Sequence, residues 1–273
     1  LQARLAEVDP HVARVYDFER MAGGTECFFT MELLSGRSIA EVVASGDWVG
    51  TTRLLAQVAH ALDYIHRHGV VHLDLKPSNV MVTGEPDARV KVLDFGIAGM
   101  KHTKGLFGTL TYIAPEVVHG LMPDHRADLY ALGVMAFELL TGRTPYADAK
   151  TRAEILRRKS SRPIVFPPGI GGVPPWLRAL IEQLCSIAPE GRPVDAIEVA
   201  RLLERGGGTG ARSTDTVTTT STVTTSKFVG RTRELDAAIA HVRARLERRS
   251  VDAKPCLLVT GPRGIELDLL DGV

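Results

Sequence analysis

Residues 206–226, GGGTGARSTDTVTTTSTVTTS, carry no hydrophobic periodicity; they are Gly-rich at first and Ser/Thr-rich after. Such a stretch can bury little apolar surface, so it is predicted to be a disordered linker. This divides the chain. Any sizeable core has to come from residues 1–205, leaving 227–273 as a short separate segment. With 44% hydrophobic and 24% charged residues, the first part is rich enough in apolar side chains for one large domain.

Within that part the hydrophobic pattern changes character. HVARVYDFE (11–19) and ECFFTMELL (26–34) read as two strands joined by a turn at Gly23-Gly24, after a helix end at residues 1–8 stopped by Asp9-Pro10. From Thr51 to His68 the apolar positions Leu54, Val58, Leu62 and Ile65 recur at helical spacing, and Gly69 supplies a stop. VMV (80–82) and VKVLDF (90–95) read as paired short strands around a GEPD turn. Residues 128–140 and 175–187 are predicted apolar helices, and 194–204 an amphipathic one. A few strands followed mostly by helices predicts an α+β fold with a large helical part.

The bulk properties exclude several classes. A net charge of +1 offers no general attraction to nucleic acid. The longest apolar run, LYALGVMAFELL (129–140), is too short to span a membrane. Cys27, Cys185 and Cys256 are odd in number and far apart, which fits a reducing cytoplasm better than a disulfide framework.

The chemistry is concentrated in VVHLDLKPSNVMV (70–82), where two apolar runs flank a carboxylate, an ammonium and a carboxamide at Asp74, Lys76 and Asn79. Asp94-Phe95-Gly96 follows on a strand end, and GTLTYIAPE (108–116) comes after that. Metal-assisted phosphoryl transfer needs this set: a carboxylate to accept a hydroxyl proton, hard oxygens for Mg²⁺, and a cation to neutralise the moving phosphoryl group. Each motif alone is weak, but the three in this order and spacing are a strong signal. His72 reads as a packing residue that fixes the loop. The spacing of His66, His68 and His72 straddles a helix end and a strand, which disfavours a metal site.

On these motifs residues 1–205 closely resemble the eukaryotic-type (Hanks-type) bacterial serine/threonine protein kinases, with a protein-kinase-like fold of mostly helical C-lobe and partial β N-lobe. The resemblance implies that Asp74 is the catalytic base, that Lys76 contacts the γ-phosphate of ATP, and that Asn79 and Asp94 bind Mg²⁺. It also implies that Thr109 bridges Asp74 and Lys76. Met31-Glu32-Leu33-Leu34 resembles the gatekeeper and hinge, with the backbone of Glu32 and Leu34 bonding adenine and Met81 as the apolar floor. Asp128 resembles the residue that anchors the catalytic-loop backbone, and Glu116 and Arg192 resemble a buried ion pair. The implied partners are proteins bearing Ser or Thr hydroxyls.

Three departures accompany the resemblance. Leu73 stands where many of these kinases have an arginine that pairs with activation-loop phosphate, so activity is expected not to require phosphate at Thr103. The Gly-rich phosphate loop and the lysine that follows it would lie upstream of residue 1. The chain is therefore expected to be an N-lobe truncation with an exposed sheet edge and little or no turnover; the alternative is a non-catalytic interaction module. Finally, FVGRTREL and LLVTGPRGI resemble the start of a P-loop ATPase module. Counting from Gly261, however, Glu266, Leu267 and Asp268 stand where Gly-Lys-Ser/Thr is required. Residues 227–273 are thus read as a truncated, degenerate remnant.

Overall fold

The computed structural model describes residues 9–20, 27–44, 46–84, 88–93, 109–167, 170, 172–208 and 256–259. In chain order the elements are β1 (Val15–Arg20), β2 (Cys27–Glu32), β3 (Gly36–Ser38), α1 (Ile39–Val42), α2 (Trp48–Arg67), β4 (Val80–Thr83), β5 (Arg89–Val92), α3 (Pro115–Val118), α4 (Arg126–Thr141), α5 (Arg152–Ser161), α6 (Pro175–Leu184), α7 (Ala196–Gly208) and β6 (Cys256–Val259). The architecture is α+β, as the pattern predicts. The predicted helix end at 1–8, the Asp94-Phe95-Gly96 motif and the stretch from Gly261 to Asp268 lie outside the described residues.

Two units are distinguished, one comprising Leu1–Ala13 with Gly36–Ser213, the other Arg14–Ser35 with Thr214–Val273. The first is organised around α4. Leu129, Leu132, Val134, Met135 and Leu140 are all buried, so this helix is apolar on every side and sits in the middle of the core. The α2 helix is amphipathic and buries Leu54, Val58, Leu62 and Ile65, the four positions read from the sequence. Asp47 caps its start by accepting from the Gly50 N–H at 2.9 Å. Gly69 ends it at φ 72°, a left-handed conformation that costs glycine little. Strands β3, β4 and β5 form a small antiparallel sheet with Met81 opposite Lys91.

Helices α4 and α6 meet at Gly133. A Cβ there would come within 2.7 Å of the Leu184 Cβ and 2.8 Å of the Cys185 Sγ. Both neighbours are buried, so neither can swing away. Gly133→Ala is therefore expected to destabilise the protein by about 1–3 kcal/mol, read as a lowered urea midpoint with an unchanged m-value.

Two expectations need correction. The first three residues of the predicted linker, Gly206 to Gly208, are helical and complete α7. Gly206 lies so close to the Trp176 ring that a Cβ would approach its carbons to 2.1–2.5 Å. This tertiary contact offsets the poor helix propensity of glycine. The second correction concerns the sheet of the other unit, ordered β1-β2-β6. The two strands expected to form the sheet alone are joined by a third: β2 pairs with β6, Phe29 opposite Val259 through Glu32 opposite Cys256, and among the described residues β1 remains an edge strand. An open row of N–H and C=O groups is a template for another strand, and a remote apolar segment of the same chain fills it.

Candidate active site

The 70–83 loop is held by a buried carboxylate. Asp128, in the first turn of α4 and inaccessible to solvent, accepts from the His72 N–H through Oδ2 and from the Leu73 N–H through Oδ1, both at 2.8 Å. His66, near the end of α2, places Nε2 at 2.7 Å from Oδ2. A carboxylate can only accept, so Nε2 is the donor; Nδ1 has no partner among the described residues. Three donors on one buried carboxylate fix the chain path at residues 72–73. The sequence singles out Asp128 and offers His66 only as a disfavoured metal ligand; that its ring faces inward onto Asp128 has no local signal.

That grip has a conformational consequence. Leu73 takes φ 62°, the one positive φ at a non-glycine among the described residues. A left-handed leucine costs about 1–2 kcal/mol, and the two bonds to Asp128 hold it there. His72 stabilises the same bend from the other side. Its Nδ1 accepts from the Asp74 N–H at 3.2 Å, which makes Nε2 the donor to the Leu93 carbonyl at 2.9 Å.

The bend delivers the predicted trio together. Lys76 Nζ lies 3.2 Å from Asp74 Oδ2, and both side chains are about one quarter exposed. Asn79 Nδ2 donates to the Asp74 carbonyl at 2.8 Å and to Asp74 Oδ2 at 3.1 Å. Pro77 opens the single 3₁₀ turn that brings Asn79 back beneath Asp74. With both its amide donors committed to Asp74, Asn79 keeps its carbonyl oxygen as an acceptor. That is the hard-oxygen donor a Mg²⁺ ion takes, so Asn79 has the chemistry of the ligand that the resemblance implies.

The other predicted positions are distributed as follows. Met81 is buried in β4. Met31 and Glu32 end β2, with Leu34 just after; they belong to the second unit and are described with it. There, Glu32 Oε1 accepts from the Arg14 N–H at 2.9 Å. Thr109 begins a 3₁₀ turn over Thr109–Thr111. Asp94 lies outside the described residues. Its neighbour Leu93 is tied to the loop twice, donating its N–H to the Asn79 carbonyl at 2.9 Å and accepting from His72.

The segment after Thr111 is pinned by side chains. Tyr112 donates its hydroxyl to Glu138, and burial together with that carboxylate drives the phenol far above its ordinary pKa. Glu116 and Arg192 form the ion pair read from the sequence, bidentate at 2.7 and 2.8 Å. Together with Leu73, Asp74 and Leu75, residues Tyr112, Ile113 and Ala114 line a small cleft.

The turn carrying Asp74, Lys76 and Asn79 is set on a buried aspartate with a helical body behind it, and the fold is protein-kinase-like. The protein kinase domain family matches residues 2–201, and the chain belongs to that family. It is 37% identical over 210 residues to the serine/threonine-protein kinase Pkn1 of Myxococcus xanthus, covering 71% of this chain and 29% of that one. To the serine/threonine-protein kinase PknF of Mycobacterium tuberculosis it is 32% identical over 219 residues, covering 74% of this chain and 45% of the relative. The chain thus spans less than half the length of these curated relatives. Among solved structures it resembles a double mutant of the Mycobacterium tuberculosis PknI kinase domain, with a TM-score of 0.58 and 27% identity over 76% of this chain and 75% of that one.

Proposed function

We propose that this chain carries the catalytic portion of a bacterial serine/threonine protein kinase that transfers the γ-phosphoryl group of ATP to protein Ser or Thr hydroxyls. The observation that carries the reading is the contact set Asp74–Lys76–Asn79 on a loop fixed by Asp128. Asp74 is partly exposed and stands ready to orient and deprotonate an incoming hydroxyl. Lys76 supplies positive charge beside that carboxylate, where the transferred group accumulates negative charge. Asn79 both braces Asp74 and offers its carbonyl oxygen to Mg²⁺, with Asp94 as the second ligand by resemblance. When bound, Mg²⁺ and ATP supply the phosphoryl group and neutralise its oxygens. Met31, Glu32, Leu34 and Met81 are the proposed adenine contacts, and Thr109 the proposed brace between Asp74 and Lys76. A cytoplasmic setting fits the three scattered cysteines. Among the described residues no helix is long and apolar enough to cross a membrane.

The test is intact mass after incubation with Mg²⁺-ATP. The chain is expected to gain phosphate, and Asp74→Asn to lose that gain by a factor of roughly 10²–10⁴, the usual worth of a general base. Equal phosphate on both proteins would remove Asp74 from the mechanism. Absence of phosphate on both, with nucleotide still bound, would favour a kinase-like interaction module.

A further inference from the structure

We infer that Lys159 is a positioning residue for the protein substrate: its side chain ties the backbone of Thr111 and Ile113 to α5, and so sets the wall that faces the Asp74 loop. The inference rests on the kinase reading above.

Lys159 is fully buried, although it follows two arginines in a helix whose sequence, RAEILRRKSS, reads as a solvated basic face. Its Nζ donates to the Thr111 carbonyl at 2.7 Å, to the Ile113 carbonyl at 2.6 Å and to the Tyr130 hydroxyl at 3.3 Å. The faces of Tyr130 and Tyr146 lie 4.6 and 5.1 Å away. Three oxygen acceptors and two aromatic faces make a cradle matched to an ammonium group. If the site served packing alone, an apolar side chain of the same length would fill it without the cost of desolvating a charge. What the lysine adds is a grip on two main-chain carbonyls that flank Tyr112, itself anchored through Glu138. Three consecutive residues are thereby pinned from α4 and α5. Their neighbours up to Ala114 form, with Leu73, Asp74 and Leu75, the cleft beside the base. Tyr112, Ile113 and Ala114 share that cleft with Asp74, and a displacement of about 1 Å beside a base can cost on the order of 10² in rate. None of the Lys159 partners is among the residues proposed for adenine or metal.

The surroundings also make the clamp sensitive to pH. Desolvation lowers the Lys159 pKa from 10.5 to about 7. The groups that face it are Tyr130 on α4, Tyr146 in the loop after α4, Cys185 after α6, and the Glu116–Arg192 pair. Burial pushes Tyr146 and Cys185 each up to about 12 and Tyr130 well above its ordinary value. These three therefore stay protonated while Lys159 titrates. The native state releases the Lys159 proton above about pH 7, whereas the unfolded chain keeps it to 10.5. Stability therefore rises with pH across that window, and Lys159→Met removes the rise.

Hydrogen exchange on the full chain tests the clamp. In Lys159→Met, which keeps the volume, exchange at the amides of residues 111–114 is expected to rise about tenfold more than the change in global stability accounts for. Tyr130→Phe, which leaves both carbonyl bonds, should exchange as the parent does. Where Lys159→Met does not fold, exchange at residues 111–114 of the parent as fast as at the exposed Met122 overturns the inference. So does exchange in Lys159→Met within about twofold of the parent. Mg²⁺-ATP affinity and phosphorylation of a Ser-containing peptide are measured alongside. The variant should bind nucleotide as the parent does and show its loss in the peptide KM; a loss confined to nucleotide binding overturns the substrate role. A parent protein that binds no Mg²⁺-ATP instead sinks the kinase reading, and the substrate role with it, whatever the exchange data say about the clamp.

Discussion

Arg192→Met is expected to destabilise the protein by about 3–5 kcal/mol, because it strands a buried carboxylate. All five guanidinium N–H groups are satisfied in the structure. Two go to the Glu116 carboxylate, and the others go to the Arg126 carbonyl at 2.9 Å, the Ser186 carbonyl at 2.9 Å and the Ile187 carbonyl at 3.1 Å. The side chain is inaccessible to solvent and its guanidinium lies 5.1 Å from the centre of the Tyr130 ring. Methionine would leave Glu116 and three carbonyls without their donor at once. Removing both charges, as in Glu116→Leu with Arg192→Met, should recover part of the loss, since the carboxylate penalty disappears while the three carbonyls remain unpaired. Urea titration of the single and double variants measures the coupling. A double variant as unstable as the sum of the two single changes would show that the pair is not the source of the effect.

Asp128→Ala should be comparably damaging, at roughly 3–5 kcal/mol, if two or three buried donors lose their acceptor at about 1–3 kcal/mol each. It is also expected to act on the chemistry in a way that Arg192→Met does not. With the His72 and Leu73 N–H groups released, nothing holds Leu73 at φ 62°, and relaxation of that residue swings Asp74 away from Asn79. In protein that remains folded, phosphoryl transfer should therefore fall much further than nucleotide binding. Asp128→Asn is the milder companion, because the amide keeps one oxygen and can still serve one of the two backbone donors. Hydrogen exchange at residues 72–75, compared with global unfolding, separates loop release from general destabilisation. If both variants kept the exchange of the parent at those amides, Asp128 would not be what fixes the bend.

The catalytic turn was legible because its signals are local. Asp74, Lys76 and Asn79 fall within six positions, between two apolar runs, with Asn79 on a one-turn helix opened by Pro77, so the three polar groups stand out locally as one candidate set. The helices α2, α4, α6 and α7 were equally readable, since their periodicity or length sets them apart from strands. Tertiary structure decided the rest. Lys159 sits in a run of basic residues, and only acceptors from residues 111, 113 and 130 make its burial tolerable. The strained Leu73 depends on a carboxylate 55 residues away. Glycines at 206–208 are helical because Trp176 leaves no room for a larger residue at 206, and β2 has no open edge on the side where 256–259 pairs with it. Local pattern determines which backbone a segment prefers and which groups neighbours can share. Whether a charge can be buried, a leucine held left-handed or a strand edge closed depends on partners far along the chain, which only the folded structure brings near.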